Sequence, residues 1–320
     1  MEPKEIPVII NPRAGRKSRF ALWLEAVLIR PPSLHEEACW SGDRISAEVV
    51  RAFQREGLKP KLFITKTLGD IKTTVKKLVA EGERTIVVAG GDGTINEAVH
   101  DMAGTDVALG ILPMGTANTL AIELGIPPAL QEAVHVLAKG RVRTVDVGKA
   151  GNHYFAMGAG LSFDAQVIKN VKPSMKRLLG SLAYIFQGLL ESLNYPFPRM
   201  EVRREDQPLF RSEGYLVIIA NARFYGGHFK AAPRALLDDG LLDVVVMKSR
   251  RMWNLLKYTA TMRYGDITKL SDVEYFQCRK VRILSEPSVQ VHVDAEIAEA
   301  TPCDFECLPQ ALRVIVPALP

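Results

Sequence analysis

The sequence predicts an α/β N-terminal domain on a parallel sheet, followed by a mostly antiparallel β C-terminal domain with helical inserts. Three observations carry this. The chain has 320 residues, a length that favours two domains over one. Up to about residue 145, short β-branched runs alternate with helical periods, the pattern of a parallel α/β sheet. From about Val142 the texture changes to longer alternating runs separated by turn residues, which is how antiparallel strands read.

The elements follow in order. IPVIIN is the first strand, with a helix expected near 17–29. IRPPSLHEEACWSGD (29–43) has neither period and reads as an extended loop. Next come the strand KLFIT, a helix near 69–81, the strand RTIVVAG, a helix near 94–103, the strand VALGIL, and helices near 116–124 and 129–139. The second domain is read from VRTVDVGKAG, HYFAMGAG, EVRRE, EGYLVIIAN, LLDVVVMKS, RKVRILS and VQVHVDAEI, interrupted by helical inserts at roughly 174–194 and 252–263. The closing ALRVIVPAL is one more strand and a candidate to return to the first domain. The expected domains are therefore 1–143, with 311–320 as its candidate completion, and 144–310.

Composition narrows the function. The 47% hydrophobic and 24% charged content is that of an ordinary soluble protein. A net charge of +5, from 41 Lys and Arg against 36 Asp and Glu, is too small and too evenly spread to argue for nucleic acid; it suits an anionic ligand or an acidic membrane surface. Cys39, Cys278, Cys303 and Cys307 are too few and too scattered for a disulfide scaffold and read as reduced thiols. MEPKEIPVIINP shows no signal pattern. The longest mostly apolar stretch, Leu178 to Leu193, is interrupted by Ser181, Gln187 and Glu191. A cytoplasmic protein without a transmembrane segment is expected.

The chemistry is concentrated after strands. RTIVVAG runs into Gly90-Gly91-Asp92-Gly93-Thr94, where a helix opens. Backbone N–H groups and a helix N-terminus meet there, and both stabilise an anion such as phosphate. Glycines at such a point serve two needs: positive φ at a sharp turn, and the absence of a Cβ that would hold a ligand away. Taken alone, the segment is equally well explained as a tight βα turn. It lacks the spacing of a Walker loop or a dinucleotide fingerprint. Leu112-Pro113-Met114-Gly115-Thr116-Ala117-Asn118 follows the next strand, placing a second anion-ready loop beside the first at the carboxyl edge of the sheet. Asn11-Pro12-Arg13-Ala14-Gly15-Arg16 follows the first strand, and Arg13 and Arg16 are either phosphate clamps or solvated charges. Thr65 closes KLFIT at the same edge.

In this order NPRAGR, GGDGTINE, LPMGTAN, APRALLDDGLLDV and VHVDAEI resemble the diacylglycerol-kinase-type lipid kinases, which are related to sphingosine kinases and more distantly to NAD kinases. The resemblance covers residues 6 to about 300 and is more specific for the superfamily than for the lipid. It implies a two-domain enzyme with ATP in the cleft. The ATP phosphates would lie over Gly90, Gly91, Asp92, Gly93 and Thr94, with Ile95 and Asn96 continuing the motif. Asn11, Pro12, Arg13, Thr65 and Thr116 would contact the remainder, and Arg16 and Lys176 stand where the related enzymes carry cations for the phosphates. The resemblance also implies a Mg²⁺ ion held by the Asp239 side chain and by the carbonyls of Leu236 and Leu241, with Asp146 linked to it through water. Glu296 would accept the proton from a lipid hydroxyl, with Asp92 as the rival base.

On composition alone, Asp238-Asp239-Gly240 is an ordinary turn, Asp146 a strand-end turn residue, and Asp294-Ala295-Glu296 a solvent-facing loop. Three positions depart from the family pattern: Ala295 stands where Gly is usual, Thr119 where Asp is common, and His228 where a third glycine is common. If Ala295 requires positive φ, it strains the turn. A lipid kinase must dock at the bilayer surface. KSRRMWNLLKYTATMRYG (248–265) has an interfacial pattern, and LLGSLAYIFQGLLESL is a second candidate that also reads as domain core. Two other activities are weighed: a soluble-metabolite kinase of the NAD-kinase type, and a nucleotide-binding protein without turnover. Whether the chain acts as a homodimer is left open by its sequence.

Overall fold

The computed structural model describes residues 5–12, 42–66, 69–170 and 195–318. These form two compact units, one running to Val145 and resuming at Ala311, the other running from Asp146 to Gln310.

The first unit contains β1 (Glu5–Ile10), α1 (Gly42–Arg55), β2 (Lys59–Ile64), α2 (Asp70–Ala80), β3 (Thr85–Gly90), α3 (Asp92–Met102), β4 (Ala108–Pro113), α4 (Thr119–Glu123) and α5 (Leu130–Lys139). Its strands run in the order β2-β1-β3-β4, all parallel. The last strand of the chain joins β4 in parallel through Arg313 opposite Ala108 and Val314 opposite Leu109. Val8 to Ile10 and Ile86 to Ala89 are wholly buried, as expected of parallel strands covered on both faces.

Helix α1 has no counterpart among the expected elements. Its stripe of Ile45, Val49, Ala52 and Phe53 is buried at helical spacing, and Gly42 lies inside the stretch expected as loop. The helix expected near 94 begins two residues earlier, at Asp92. The one expected near 116 begins only at Thr119, because Asn118 adopts a left-handed conformation at φ 51°. The stretches expected as helices near 17–29 and 174–194 lie outside the described residues.

The strand pairings described within the second unit, from β6 on β5 to β15 on β18, are antiparallel. Its elements are β5 (Arg141–Ala150, which enters from the first unit), β6 (His153–Phe155), β7 (Gly158–Ser162), α6 (Phe163–Asn170), β8 (Met200–Arg204), β9 (Arg211–Gly214), β10 (Leu216–Ala220), β11 (Phe224–Tyr225), β12 (Phe229–Lys230), β13 (Leu242–Met247), α7 (Met252–Tyr264), β14 (Val273–Cys278), β15 (Lys280–Ser285), β16 (Gln290–Val293), β17 (Glu296–Ala300) and β18 (Cys303–Val316). One sheet has the order β14-β13-β10-β7-β16-β17, and a second run pairs β18-β15-β8-β9. Along β13, Val244 and Val246 pack with Phe155, Val202 and Ile283, while Val245 and Met247 pack with Ile218, Tyr258 and Ile267 on the opposite face. Burial on both faces explains an unbroken apolar run in an antiparallel strand, and each such side chain contributes about 1.5–3 kcal/mol.

Candidate active site

In the first unit, strand register sets the site. Ile10 lies opposite Ile64 and Ala89, and Gly90 opposite Pro113, so four strands end together. Asn11, Thr65, the Gly90–Gly91 step and the Met114–Gly115 step are therefore brought to one sheet edge. The Asn11 side chain donates to Thr94 Oγ1 (2.9 Å), and its N–H donates to the Ala89 carbonyl (3.0 Å). The Thr65 N–H and hydroxyl both donate to the Ile10 carbonyl. Pro12 and Thr116 are half-buried, and Thr94, Ile95 and Asn96 are buried in the first turn of α3. Arg13, Arg16 and Lys176 lie outside the described residues.

The glycines meet only one of the two needs expected of them. None of Gly90, Gly91 or Gly93 has positive φ, and Gly91 is extended at φ −95°. Lack of a side chain is what matters. A Cβ on Gly91 would stand 3.0 Å from Gly115 Cα, and one on Gly115 would stand 2.4 Å from Gly91 Cα. The two loops thus touch backbone to backbone. Asn118 closes the second, accepting from the Gly115 N–H (2.7 Å) and donating to the Gly115 carbonyl (3.0 Å).

Asp92 ties the loops together. Its carboxylate accepts from the N–H of Asn118 (2.9 Å) and of Thr119 (2.5 Å). Burial pushes this carboxyl up from the ordinary aspartate range, against the pull of those two N–H groups. The Thr119 departure is accommodated, since its backbone N–H and its side chain both serve Asp92.

In the second unit, Asp146 is buried and organises the turn before β13. Its N–H donates to the Leu237 carbonyl (2.6 Å), while its carboxylate accepts from the N–H of Gly240 (2.7 Å) and of Gln310 (2.7 Å). Leu236, an apolar residue, is 55% exposed on that turn. Asp239 accepts from the Leu241 N–H (3.0 Å) and from the Gln277 side chain (3.3 Å). Partial enclosure raises the Asp239 carboxyl first of all; nearby Asp146 and Asp238 raise it further, against the Leu241 N–H. Among the described residues no cluster of three His, Cys, Asp or Glu side chains is arranged as a metal site. A single carboxylate on an exposed turn, with lone pairs left after two N–H bonds, together with backbone carbonyls, is the hard-oxygen set that suits Mg²⁺.

Sequence reading missed the layer beneath this turn. Asp243 is wholly buried, accepts from the Tyr275 hydroxyl and lies 3.4 Å from the Gln277 amide nitrogen, which also reaches Asp239. Burial pushes the Asp243 carboxyl up to about 6. Tyr275 and Gln277 sit on β14, a strand absent from the expected set, and only the cross-strand register of Asp243 with Gln277 brings them here.

Glu296 is exposed at the start of β17, directly opposite Val293, so Asp294 and Ala295 form a two-residue hairpin turn. Both are left-handed, at φ 45° and 69°. That is the geometry of a type I′ turn, in which glycine is favoured at the second place and alanine is strained. Asp294 holds the turn down: its carboxylate accepts from the N–H groups of Ala156 (2.8 Å), Met157 (3.1 Å) and Gly158 (2.9 Å). Cys278, Cys303 and Cys307 are free and buried, and burial pushes each thiol up to about 12, so none is a ready nucleophile.

The family model described as diacylglycerol kinase catalytic domain matches residues 35–150, and the one described as YegS C-terminal NAD kinase beta sandwich-like domain matches residues 156–316, half of the chain. The chain belongs to the diacylglycerol kinase family. Among its relatives, the diacylglycerol kinase of Bacillus subtilis (strain 168) is 28% identical over 85% of this chain and 90% of its own length. The diacylglycerol kinase of Staphylococcus aureus (strain bovine RF122 / ET3-1) is also 28% identical, over 98% of this chain and 93% of its own. The crystal structure of a diacylglycerol kinase from Bacillus anthracis str. Sterne shares the fold, with a TM-score of 0.68 at 23% identity over 99% of this chain and 98% of that one. Within this diacylglycerol-kinase fold, the paired glycine loops fall in the segment matched by the catalytic-domain model, and the Asp239 and Glu296 turns in the segment matched by the β-sandwich model.

Proposed function

We propose that this protein is an ATP- and Mg²⁺-dependent lipid kinase that phosphorylates the hydroxyl of a diacylglycerol-like or sphingoid lipid. The observation that carries the reading is the backbone contact of Gly91 with Gly115, locked by Asp92, at the edge where four parallel strands end. It leaves a helix N-terminus and main-chain N–H groups for the phosphates, and phosphoryl transfer needs mainly positioning and charge neutralisation.

In this reading the Asn11–Pro12 step, Thr65, Thr116 and the Gly90–Asn96 segment bind ATP, with Arg13, Arg16 and Lys176 neutralising the phosphates. Asp239 and the carbonyls of Leu236 and Leu241 hold Mg²⁺, and Asp146 fixes their turn. When bound, Mg²⁺ supplies charge neutralisation at the transferred phosphoryl group. Glu296 orients the lipid hydroxyl and takes its proton. Asp92, which binds the N–H groups of Asn118 and Thr119 in the neighbouring loop, serves as the tie between loops rather than as the base.

The protein is read as cytoplasmic and peripheral at the membrane. Among the described residues no helix is long and apolar enough to cross a bilayer. Helix α7 presents Trp253 (80% exposed) and Tyr264 (78% exposed), with Arg263 stacked on Tyr264, as interfacial anchors. The docking face is narrower than the sequence expectation, because Tyr258 is buried and donates to Asp272, and Lys257 pairs with Asp272 as well. The test is a phosphorylation assay with γ-labelled ATP over diacylglycerol, sphingoid base, ceramide, phosphatidylglycerol and NAD. Label in one lipid supports the reading, and label in NAD alone overturns it.

A further inference from the structure

Tyr225 reaches the Glu296 hairpin through His292 and lies beside Gly158 of the neighbouring strand β7. It sits on β11, paired with Phe229 of β12 across Gly226, Gly227 and His228. Its hydroxyl and His292 Nε2 are 2.6 Å apart. His292 is buried on β16, two residues before Asp294 and four before Glu296. One edge of the Tyr225 ring lies over Gly158, with Cδ2 3.7 Å from the place a Cβ would occupy there. Gly158 is also where the Asp294 turn is seated in both directions: its N–H donates to Asp294 Oδ1 and its carbonyl accepts from the Asp294 N–H, each at 2.9 Å. Tyr225 therefore spans β7 and β16 beside a turn whose two central residues are both left-handed, a conformation that non-glycine residues keep only when their surroundings impose it.

We propose that Tyr225 is a positioning residue for Glu296, pinning the Asp294–Ala295 turn to the β11–β12 hairpin through His292 and Gly158. The inference rests on the reading of Glu296 as the base. Tyr225 carries no proton in the reaction; it sets where the Glu296 carboxylate stands, so its loss acts on turnover and not on ATP.

Tyr225→Phe removes the hydroxyl and leaves the ring over Gly158. In the full-length chain, amide exchange at Asp294 and at its partners Ala156, Met157 and Gly158 is expected to rise about tenfold, the worth of one net hydrogen bond, with the first unit unchanged. The kcat for the lipid falls by a similar factor, while its KM and the affinity for ATP stay as in the wild type. Unchanged exchange at those four amides, or an equal rise throughout the second unit, overturns the proposal. A wild-type chain that phosphorylates no lipid rejects the kinase reading separately, and the exchange data still decide the positioning.

Discussion

Ala295 shows how one side chain records a conflict between sequence and turn geometry. At φ 69° it stands in the second place of a two-residue hairpin, where its Cβ crowds the following carbonyl. The three N–H groups converging on Asp294 hold the turn in place against this strain. Ala295→Gly should therefore stabilise the protein by about 1 kcal/mol, seen as a higher denaturant midpoint with an unchanged slope. An unaltered or lower midpoint would show that the turn is relaxed with alanine. The strain was legible only as a condition, since the DAE motif gives the residue types but not φ. The role of Asp294 was not legible, because its partners lie more than 130 residues away on β7 and the segment before it.

Among elements, the two glycine loops form one object. The sequence shows each as a strand-to-helix turn, and the parallel alternation places them at one edge. Their contact depends on the β3–β4 register, which sets Gly90 opposite Pro113. A Cβ on Gly115 would meet both Gly91 Cα and Asn118 Oδ1, at 2.4 and 2.6 Å. Gly115→Ala should thus cost about 1–3 kcal/mol of stability through overpacking, and weaken ATP binding by spreading the loops. Thermal melts and ATP titration check this, and a variant unchanged in both would mean that the loops do not depend on contact. By the same geometry, a valine side chain in Gly91→Val would strike the Gly115 loop as well as any phosphate. Helix α1 and strand β14 were missed for different reasons. The buried positions of α1 are interspersed with Ser46, Glu48 and Arg51, which dilute the period, and β14 mixes apolar and polar residues on both faces.

For the whole molecule, each unit supplies half of the proposed chemistry. The first holds the paired glycine loops; the second holds Asp239, Asp146 and Glu296. The order of motifs made the family and fold class legible from residue 6 to about 300. What it could not supply was the supporting layer of Asp243, Tyr275, Gln277, Tyr225 and His292, assembled by antiparallel register between distant segments. The most direct measurement is transfer of label from γ-labelled ATP to lipid in vesicles with Mg²⁺, comparing wild type with Glu296→Gln and measuring ATP binding separately. The account predicts transfer by the wild type, a kcat lower by about two to four orders of magnitude in Glu296→Gln, and equal ATP affinity in both. Equal turnover by the two proteins, or no transfer by the wild type, would contradict it.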